Sequence, residues 1–98
     1  MNIMNTVKIE LTEKQILDML ENMYFQIRKE ENYNVDTHEF ECDDNTSQWH
    51  FDLLISYNLV ASQLPEEIRN KKMRWYRHNF NPIVIKNEEL ITSRIWCI

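Results

Sequence analysis

The sequence predicts an α+β fold, with a mainly antiparallel sheet of four to five strands, one long amphipathic helix on one face and a shorter second helix. Two hydrophobic patterns indicate this class: apolar residues recur every three or four positions in one segment and alternate with polar residues in several others. No repeat, low-complexity tract or linker interrupts the chain, so residues 1–98 are predicted to form a single compact domain.

The first predicted strand leads directly into the long helix. Thr6–Leu11 alternates between apolar and polar residues, as a half-buried strand does. Thr12 and Gln15 then form a capping-box pattern, in which each side chain satisfies a backbone N–H of the other at a helix start. A helix is therefore predicted over about 13–30. Its apolar stripe consists of Ile16, Leu20, Met23 and Ile27.

Two further strands are predicted in the middle of the chain, at Tyr33–Cys42 and Trp49–Tyr57, with the polar run 43–47 between them. The second of these is apolar at every other position, which is typical of a strand. If the apolar faces of the two strands match, Phe40 lies opposite Phe51. The opposite face of this hairpin then gathers Glu39, Glu41, His50 and Asp52.

The last third of the chain predicts a short helix followed by a hairpin. The helix would run over 64–77, because Pro65 and the two glutamates after it suit a first helical turn. Ile83–Lys86 and Leu90–Ile98 are predicted to be the two strands of the hairpin. Leu90–Ile98 carries apolar side chains on both faces, which indicates a buried terminal strand or, as the alternative, a surface for a homodimer or partner.

Composition excludes several classes of function. The chain contains no glycine, so it has neither a GxGxxG motif nor a P-loop, since both need glycine backbone close to phosphate. Met1–Glu10 lacks a secretory signal, and no apolar run approaches the roughly 18 residues of a membrane helix. Cys42 and Cys97 are expected to be free, buried thiols. These features predict a cytoplasmic protein.

Charge is divided unevenly along the chain. Residues 1–67 carry 14 acidic and 4 basic side chains, whereas residues 68–98 carry 7 basic and 2 acidic ones, within a net charge of −5. This division predicts one acidic surface and one basic segment, suited to a charged partner.

The acidic surface is predicted to bind the partner. Its expected binding residues are Glu39, Glu41, Asp43, Asp44, His50 and Asp52. Carboxylates beside an imidazole also suit a metal ion or acid–base catalysis, which leaves a metal-dependent enzyme centred on His50 as a third hypothesis. No HExxH or CxxC spacing is present, so the chain is predicted to hold no metal or cofactor. The simplest alternative is a solvated strand face.

The basic segment, residues 69–78, interleaves five cations with two aromatic residues. Such a mixture can neutralise phosphates and stack on bases, which makes a nucleic-acid-binding module the alternative function. On a helical wheel, however, the cations point nearly all round, so packing of their stems over the core edge is favoured. The residues of this segment and the possible aromatic anchors are Arg69, Lys71, Lys72, Arg74, Trp75, Tyr76, Arg77 and Trp96.

No catalytic motif is present, and the nucleophile elbow of serine hydrolases needs glycines that this chain lacks. The sequence therefore predicts no enzyme but a stoichiometric inhibitor, which docks its acidic face on a basic surface of a host protein. In size, acidity and asparagine content the whole chain resembles the small proteins with which phages and mobile elements inhibit host machinery, including anti-CRISPR proteins and other nuclease inhibitors. The resemblance implies an inhibitory function and assigns no residue a role.

Overall fold

The computed structural model describes residues 5–95, with side chains through residue 93. Their fold is α+β, as predicted, but the sheet is small and mixed: it has three strands, so the prediction of a four-to-five-stranded, mainly antiparallel sheet is wrong. In chain order the elements are α1 (Glu13–Arg28), β1 (Tyr33–Asn34), β2 (Glu39–Glu41), α2 (Gln48–Gln63), α3 (Glu66–Arg69), β3 (Val84–Lys86) and α4 (Glu89–Ile95).

Helix α1 forms as its local sequence predicts. The Thr12 hydroxyl accepts a hydrogen bond from the Gln15 backbone N–H at 3.1 Å, and the Gln15 side chain accepts one from the Thr12 N–H at 2.9 Å. The capping box is therefore confirmed. Leu20, Tyr24 and Ile27 are buried along one stripe, which packs against α2.

The sheet has the order β1–β2–β3. A tight turn lies inside the predicted strand 33–42 and splits it into β1 and β2, an antiparallel pair with Tyr33 opposite Phe40. The Asn34 side chain initiates this turn by accepting the Asp36 N–H at 2.9 Å, and His38 completes it with a left-handed φ of 58°. β3 pairs with β2 in parallel, which places Ile85 beside Phe40. The predicted β3 segment thus forms a strand, but not within a hairpin.

Residues 48–63 form helix α2, so the prediction of a strand at Trp49–Tyr57, and of its pairing with Phe40, is wrong. Ser47 caps the helix by accepting the His50 N–H at 3.1 Å. The segment is apolar nearly all round, so its residues fit a period of two and a helical period equally well, and packing on α1 selects the helix. The buried stripe is Phe51, Leu54, Tyr57 and Ala61.

Helix α2 also closes one edge of the sheet. The side-chain amide of Asn58 accepts the backbone N–H of Ile83 at 2.8 Å and donates to the backbone C=O of Ile83 at 2.8 Å. A single side chain thus makes, just before β3, the pair of hydrogen bonds that a neighbouring strand would make.

Three other predicted elements are wrong. Thr6–Leu11 forms no strand, since it finds no partner strand within residues 5–95, and Val7 and Ile9 are more than two-thirds exposed. The helix predicted over 64–77 is confined to α3, because the chain after it folds back on itself: Phe80 donates its N–H to the Arg69 carbonyl and Met73 to that of His78, each at 2.9 Å.

The predicted strand Leu90–Ile98 is helix α4 as far as Ile95, and its last residues, 96–98, lie outside the described part of the chain. Asn87, with a left-handed φ of 59°, turns the chain out of β3. The backbone carbonyl of Glu88 then accepts hydrogen bonds from the backbone N–H groups of Ile91 and Thr92, which begins the helical turn. Within residues 5–95, no helix is long and apolar enough to cross a membrane.

Candidate functional site

The main concave feature of acidic character is a groove beside the sheet, which we call the acidic groove. Its cavity is about 560 Å³, and the charged side chains that line it are Glu31, Glu39, Glu41, Asp43 and Lys86. Alternation along β2 buries Phe40 and sends the two flanking glutamates to the other face, toward the groove. The parallel register places Lys86 beside Glu41.

Hydrogen bonds keep two of the groove carboxylates ionised. The Thr37 hydroxyl, followed by the ammonium of Lys86 at 3.2 Å, lowers the pKa of Glu39 below its usual range. The side-chain amide of Asn32 and the backbone N–H of Asn45, the latter at 2.8 Å, lower the pKa of Asp43. These contacts favour the ionised form of Glu39 and Asp43.

The groove carboxylates outnumber the cations that neutralise them. Lys86 pairs with Glu39. Among the side chains of residues 5–93, no lysine, arginine or histidine nitrogen lies within 4.0 Å of a carboxylate oxygen of Glu31, Glu41 or Asp43. Four carboxylates thus face one ammonium group around a single cavity, a local charge of −3.

The structure brings together only part of the predicted acidic face. Glu39, Glu41 and Asp43 line the groove, whereas His50 and Asp52 lie on α2 and do not line it. The His50 ring sits 3.1 Å from Glu30 and 2.7 Å from the Ser47 hydroxyl, and Asp52 accepts from Gln48 at 2.8 Å. Asp44 lies in the loop after β2. In the described residues, no group of three or more His, Cys, Asp and Glu side chains is arranged to hold a metal ion.

The basic segment lies against α1, where acidic side chains meet its cations. Lys71 is 2.5 Å from Glu13, and Arg74 is 3.1 Å from both Asp18 and Glu21. Two of the five cations of the basic segment are in this way paired within the molecule.

Glu21 makes the most protected of these contacts, with a side chain only 9% exposed. One of its oxygens accepts the Arg74 backbone N–H at 2.6 Å while the other pairs with the Arg74 guanidinium. At the far end of the segment, Arg77 pairs with Asp36 at 2.5 Å and donates to the Val35 carbonyl at 3.1 Å. Arg74 thus holds the segment against α1, and Arg77 holds it against the turn between β1 and β2.

The remaining residues of the segment differ widely in exposure. Trp75 is 75% exposed, whereas Tyr76 is half-buried with its ring 5.0 Å from that of Tyr24. Arg69 donates to the Leu64 carbonyl at 3.3 Å. Lys72 is exposed and forms a backbone bridge with Asn79. Trp96 lies outside the described residues.

Sequence reasoning missed a buried cluster of tyrosines and histidines beneath the groove. His38 Nε2 donates to the Asn81 carbonyl at 2.9 Å, so the Nδ1 atom of its neutral ring accepts from the Tyr33 hydroxyl at 2.7 Å. Tyr33 in turn accepts from Tyr24 at 2.8 Å. Burial lowers the pKa of His38 despite the Asn81 contact, and it raises the pKa of Tyr33.

A second histidine joins this cluster to the basic segment. The His78 ring stacks on His38 with centroids 4.5 Å apart, and His78 Nε2 donates to the Val35 carbonyl. The cluster therefore fixes the turn between β1 and β2 that shapes the groove. Its members are scattered from residue 24 to residue 81 with no recurrent spacing, so no local pattern could have revealed them.

Comparisons of this chain with protein-family models, with curated proteins and with solved structures gave no match. Its function is inferred from the geometry of the site alone.

Proposed function

We propose that this protein is a non-enzymatic binding protein that acts as a stoichiometric inhibitor, with the acidic groove docked on a cationic surface of a partner protein. The observation that carries the proposal is that the two charged regions differ in how many of their charges have an ion-pair partner within the molecule. Three of the five cations of the basic segment have a carboxylate partner, whereas among the described side chains only Glu39 of the four groove carboxylates has a cationic one.

The local charges support this choice. The five cations of the basic segment face four carboxylates, those of Glu13, Asp18, Glu21 and Asp36, and Asp18 is also paired with Lys14 at 2.6 Å. With Lys14 included, six cations face four carboxylates, which leaves +2. The groove retains −3. A surface that keeps uncompensated charge in a concave site attracts a partner of the opposite sign, speeds their encounter and rejects partners of like charge.

The charge of the groove also indicates the class of partner. Proteins that handle nucleic acids present clustered lysine and arginine side chains to phosphates, and an acidic surface can occupy the same cations. A host nucleic-acid-handling or defence protein is therefore the proposed target. The alternative, that this chain itself binds nucleic acid through residues 69–78, is disfavoured because Lys71, Arg74 and Arg77 already have carboxylate partners.

The test is affinity capture from source-cell lysate with three baits, each with and without nuclease. The baits are the wild type, the groove variant Glu39→Gln/Glu41→Gln/Asp43→Asn, and the control Glu66→Gln/Glu67→Gln/Glu88→Gln, which changes the net charge equally on exposed residues outside the groove. We expect one protein to be retained by the wild type and the control, to survive nuclease and to be lost from the groove variant. Equal retention by the groove variant, or loss on nuclease treatment, would contradict the proposal.

A further inference from the structure

The acidic groove continues into a second, smaller concavity on the surface, which we call the apolar cleft. Tyr33 and Val35 line both cavities, and the cleft, of about 290 Å³, is completed by Phe25, Arg28 and Lys29 from the end of α1. Because the two cavities share a wall, one extended segment lying in the groove can reach the cleft without leaving the surface.

The charge of the cleft is opposite to that of the groove. The Lys29 ammonium lies 4.2 Å from the centroid of the Phe25 ring, and the Arg28 guanidinium lies 5.1 Å from that of Tyr76. Both cations rest on aromatic rings and keep their charge. Among the side chains of residues 5–93, no carboxylate oxygen lies within 4.0 Å of either of them.

The wall between the two charged ends offers an apolar contact. Phe25 is a large aromatic residue in the last turn of α1 and is 45% exposed. Val35 is half-buried at the turn between β1 and β2. Burial of one large apolar side chain against these two residues would add affinity in addition to the charge contacts.

We propose that the groove and the cleft together bind one extended protein segment, with lysine or arginine side chains in the groove, a large apolar side chain against Phe25 and Val35, and an aspartate or glutamate beside Arg28 and Lys29. This inference rests on the proposed function and deepens it by specifying the order of charges in the partner. Each end of the surface repels the wrong end of the segment, which fixes its orientation. A nucleic acid does not fit, because its phosphates would face Glu39, Glu41 and Asp43.

The test uses fluorescein-labelled peptides and measures fluorescence anisotropy at physiological salt. The matched peptide, Lys-Lys-Arg-Lys-Ser-Leu-Phe-Ser-Asp-Glu, is compared with its reversed sequence, with a truncated Lys-Lys-Arg-Lys-Ser-Ser-Ser-Ser-Ser-Ser, and with a scrambled peptide that intersperses the acidic and basic residues. We expect the matched peptide, in one of its two chain directions, to bind about tenfold more tightly than the truncated and scrambled peptides.

Protein variants identify the contacts. We expect Lys29→Glu to remove the advantage of the matched peptide and leave the truncated peptide unaffected, while Glu39→Gln/Glu41→Gln weakens both. The Lys29 side chain is exposed, so the variant is expected to fold, and circular dichroism verifies this. Glu67→Lys, which alters charge outside both cavities, is the control and is expected to bind as the wild type does.

The outcomes separate the two proposals. If the truncated peptide binds through the groove but the matched peptide gains nothing, or Lys29→Glu has no effect, the segment model is wrong and the proposed function stands. If no cationic peptide binds, both are wrong for linear partners. Binding of an oligothymidine probe that competes with the matched peptide, or self-association abolished by Lys29→Glu, would assign the surface to a nucleic acid or to a second copy and overturn the inference.

Discussion

The basic segment and the acidic groove carry similar densities of charge in the sequence but differ in what surrounds them. Arg74 shares its charge with two carboxylates of α1, one of them on the nearly buried Glu21. Glu41 of the groove has no cationic partner among the described side chains within ion-pair distance. Charge that stabilises the fold is no longer available to a partner. The tertiary structure is needed to show which of the two regions keeps its charge available.

The difference has a simple topological origin. The basic segment buries Met73 in the core, and its cations are held by carboxylates of α1 and of the turn before β2. The groove is built on β2, where alternation separates the buried Phe40 from two outward glutamates. Much of the charge of the first region is therefore used in contacts within the fold, whereas most of the charge of the second is not.

The largest effect on stability is expected from Glu21. Glu21→Ala removes the acceptor of the Arg74 backbone N–H at a site that water hardly reaches, so we expect a loss of about 2 kcal/mol in the free energy of unfolding. Glu41→Ala, in the groove, is expected to change it by less than about 0.5 kcal/mol. Urea denaturation measures both. Equal losses would show that the two regions do not differ as described.

The second effect concerns the affinity of the basic segment for nucleic acid. Glu13→Gln/Asp18→Asn/Asp36→Asn releases Lys71, Arg74 and Arg77 from most of their partners. We expect this variant to bind oligothymidine more tightly than the wild type, with the slope of log affinity against log salt steeper by about 2.

The control for this experiment is Glu66→Gln/Glu67→Gln/Glu88→Gln, which has the same net charge as the triple variant. If the control gains affinity equally, net charge and not release of the segment explains the result.

The third effect is a pH dependence at His38, in the turn beneath the groove, on which His78 of the basic segment stacks. The pKa of His38 is lowered in the folded protein, whereas in the unfolded chain it is near 6.5. The unfolded state therefore binds more protons between these two values, and stability should fall as the pH decreases below about 6.5. Around His38 stand Tyr33, the Asn81 carbonyl, Tyr24 and His78. Among the side chains of residues 5–93, no carboxylate oxygen lies within 4.0 Å of its ring nitrogens to stabilise the imidazolium.

Chemical denaturation between about pH 7.5 and pH 5 tests this, above the range in which carboxylates titrate. His38→Asn keeps a side chain that tolerates the left-handed φ of 58° and is expected to flatten the dependence. His50→Asn, which removes the half-buried histidine beside Glu30, is measured in parallel as the comparison variant. A dependence that persists in His38→Asn would assign it to another group.

The smallest effect is expected at the surface pair of Lys71 and Glu13, whose side chains are each about half exposed. Lys71→Gln should cost less than about 1 kcal/mol of stability, because solvent screens the pair. Thermal unfolding of this variant and of Glu21→Ala compares how much each contact of the segment contributes to the stability of the fold. A loss as large as that of Glu21→Ala would contradict the ranking.

Local sequence rules predicted what local interactions determine. The start of α1 follows from Thr12 and Gln15, which lie three residues apart and need nothing else from the fold. Residues 48–63 were misjudged because the positions of their apolar residues fit both alternation and a helical period, and only the contact with α1 separates the two. The same error placed His50 and Asp52 beside Glu39, from which the helix removes them.

The candidate site shows the same limit. The acidic character of Glu39, Glu41 and Asp43 was evident from composition, and their shared face from the alternation of a strand. The pairing of Lys71 and Arg74 with carboxylates of α1 was not evident from the sequence, because those contacts join residues more than 50 positions apart in the chain.

The bidentate contact of Asn58 with Ile83 has a consequence for self-assembly. An open strand edge is a template on which an unfolded or partly folded copy can extend a sheet and nucleate fibrils. At Ile83 the backbone N–H and C=O that a new strand would pair with are already hydrogen-bonded to the Asn58 side chain. Growth from this position requires both hydrogen bonds of the Asn58 amide to be broken first, so the contact protects this position of the native surface against strand addition.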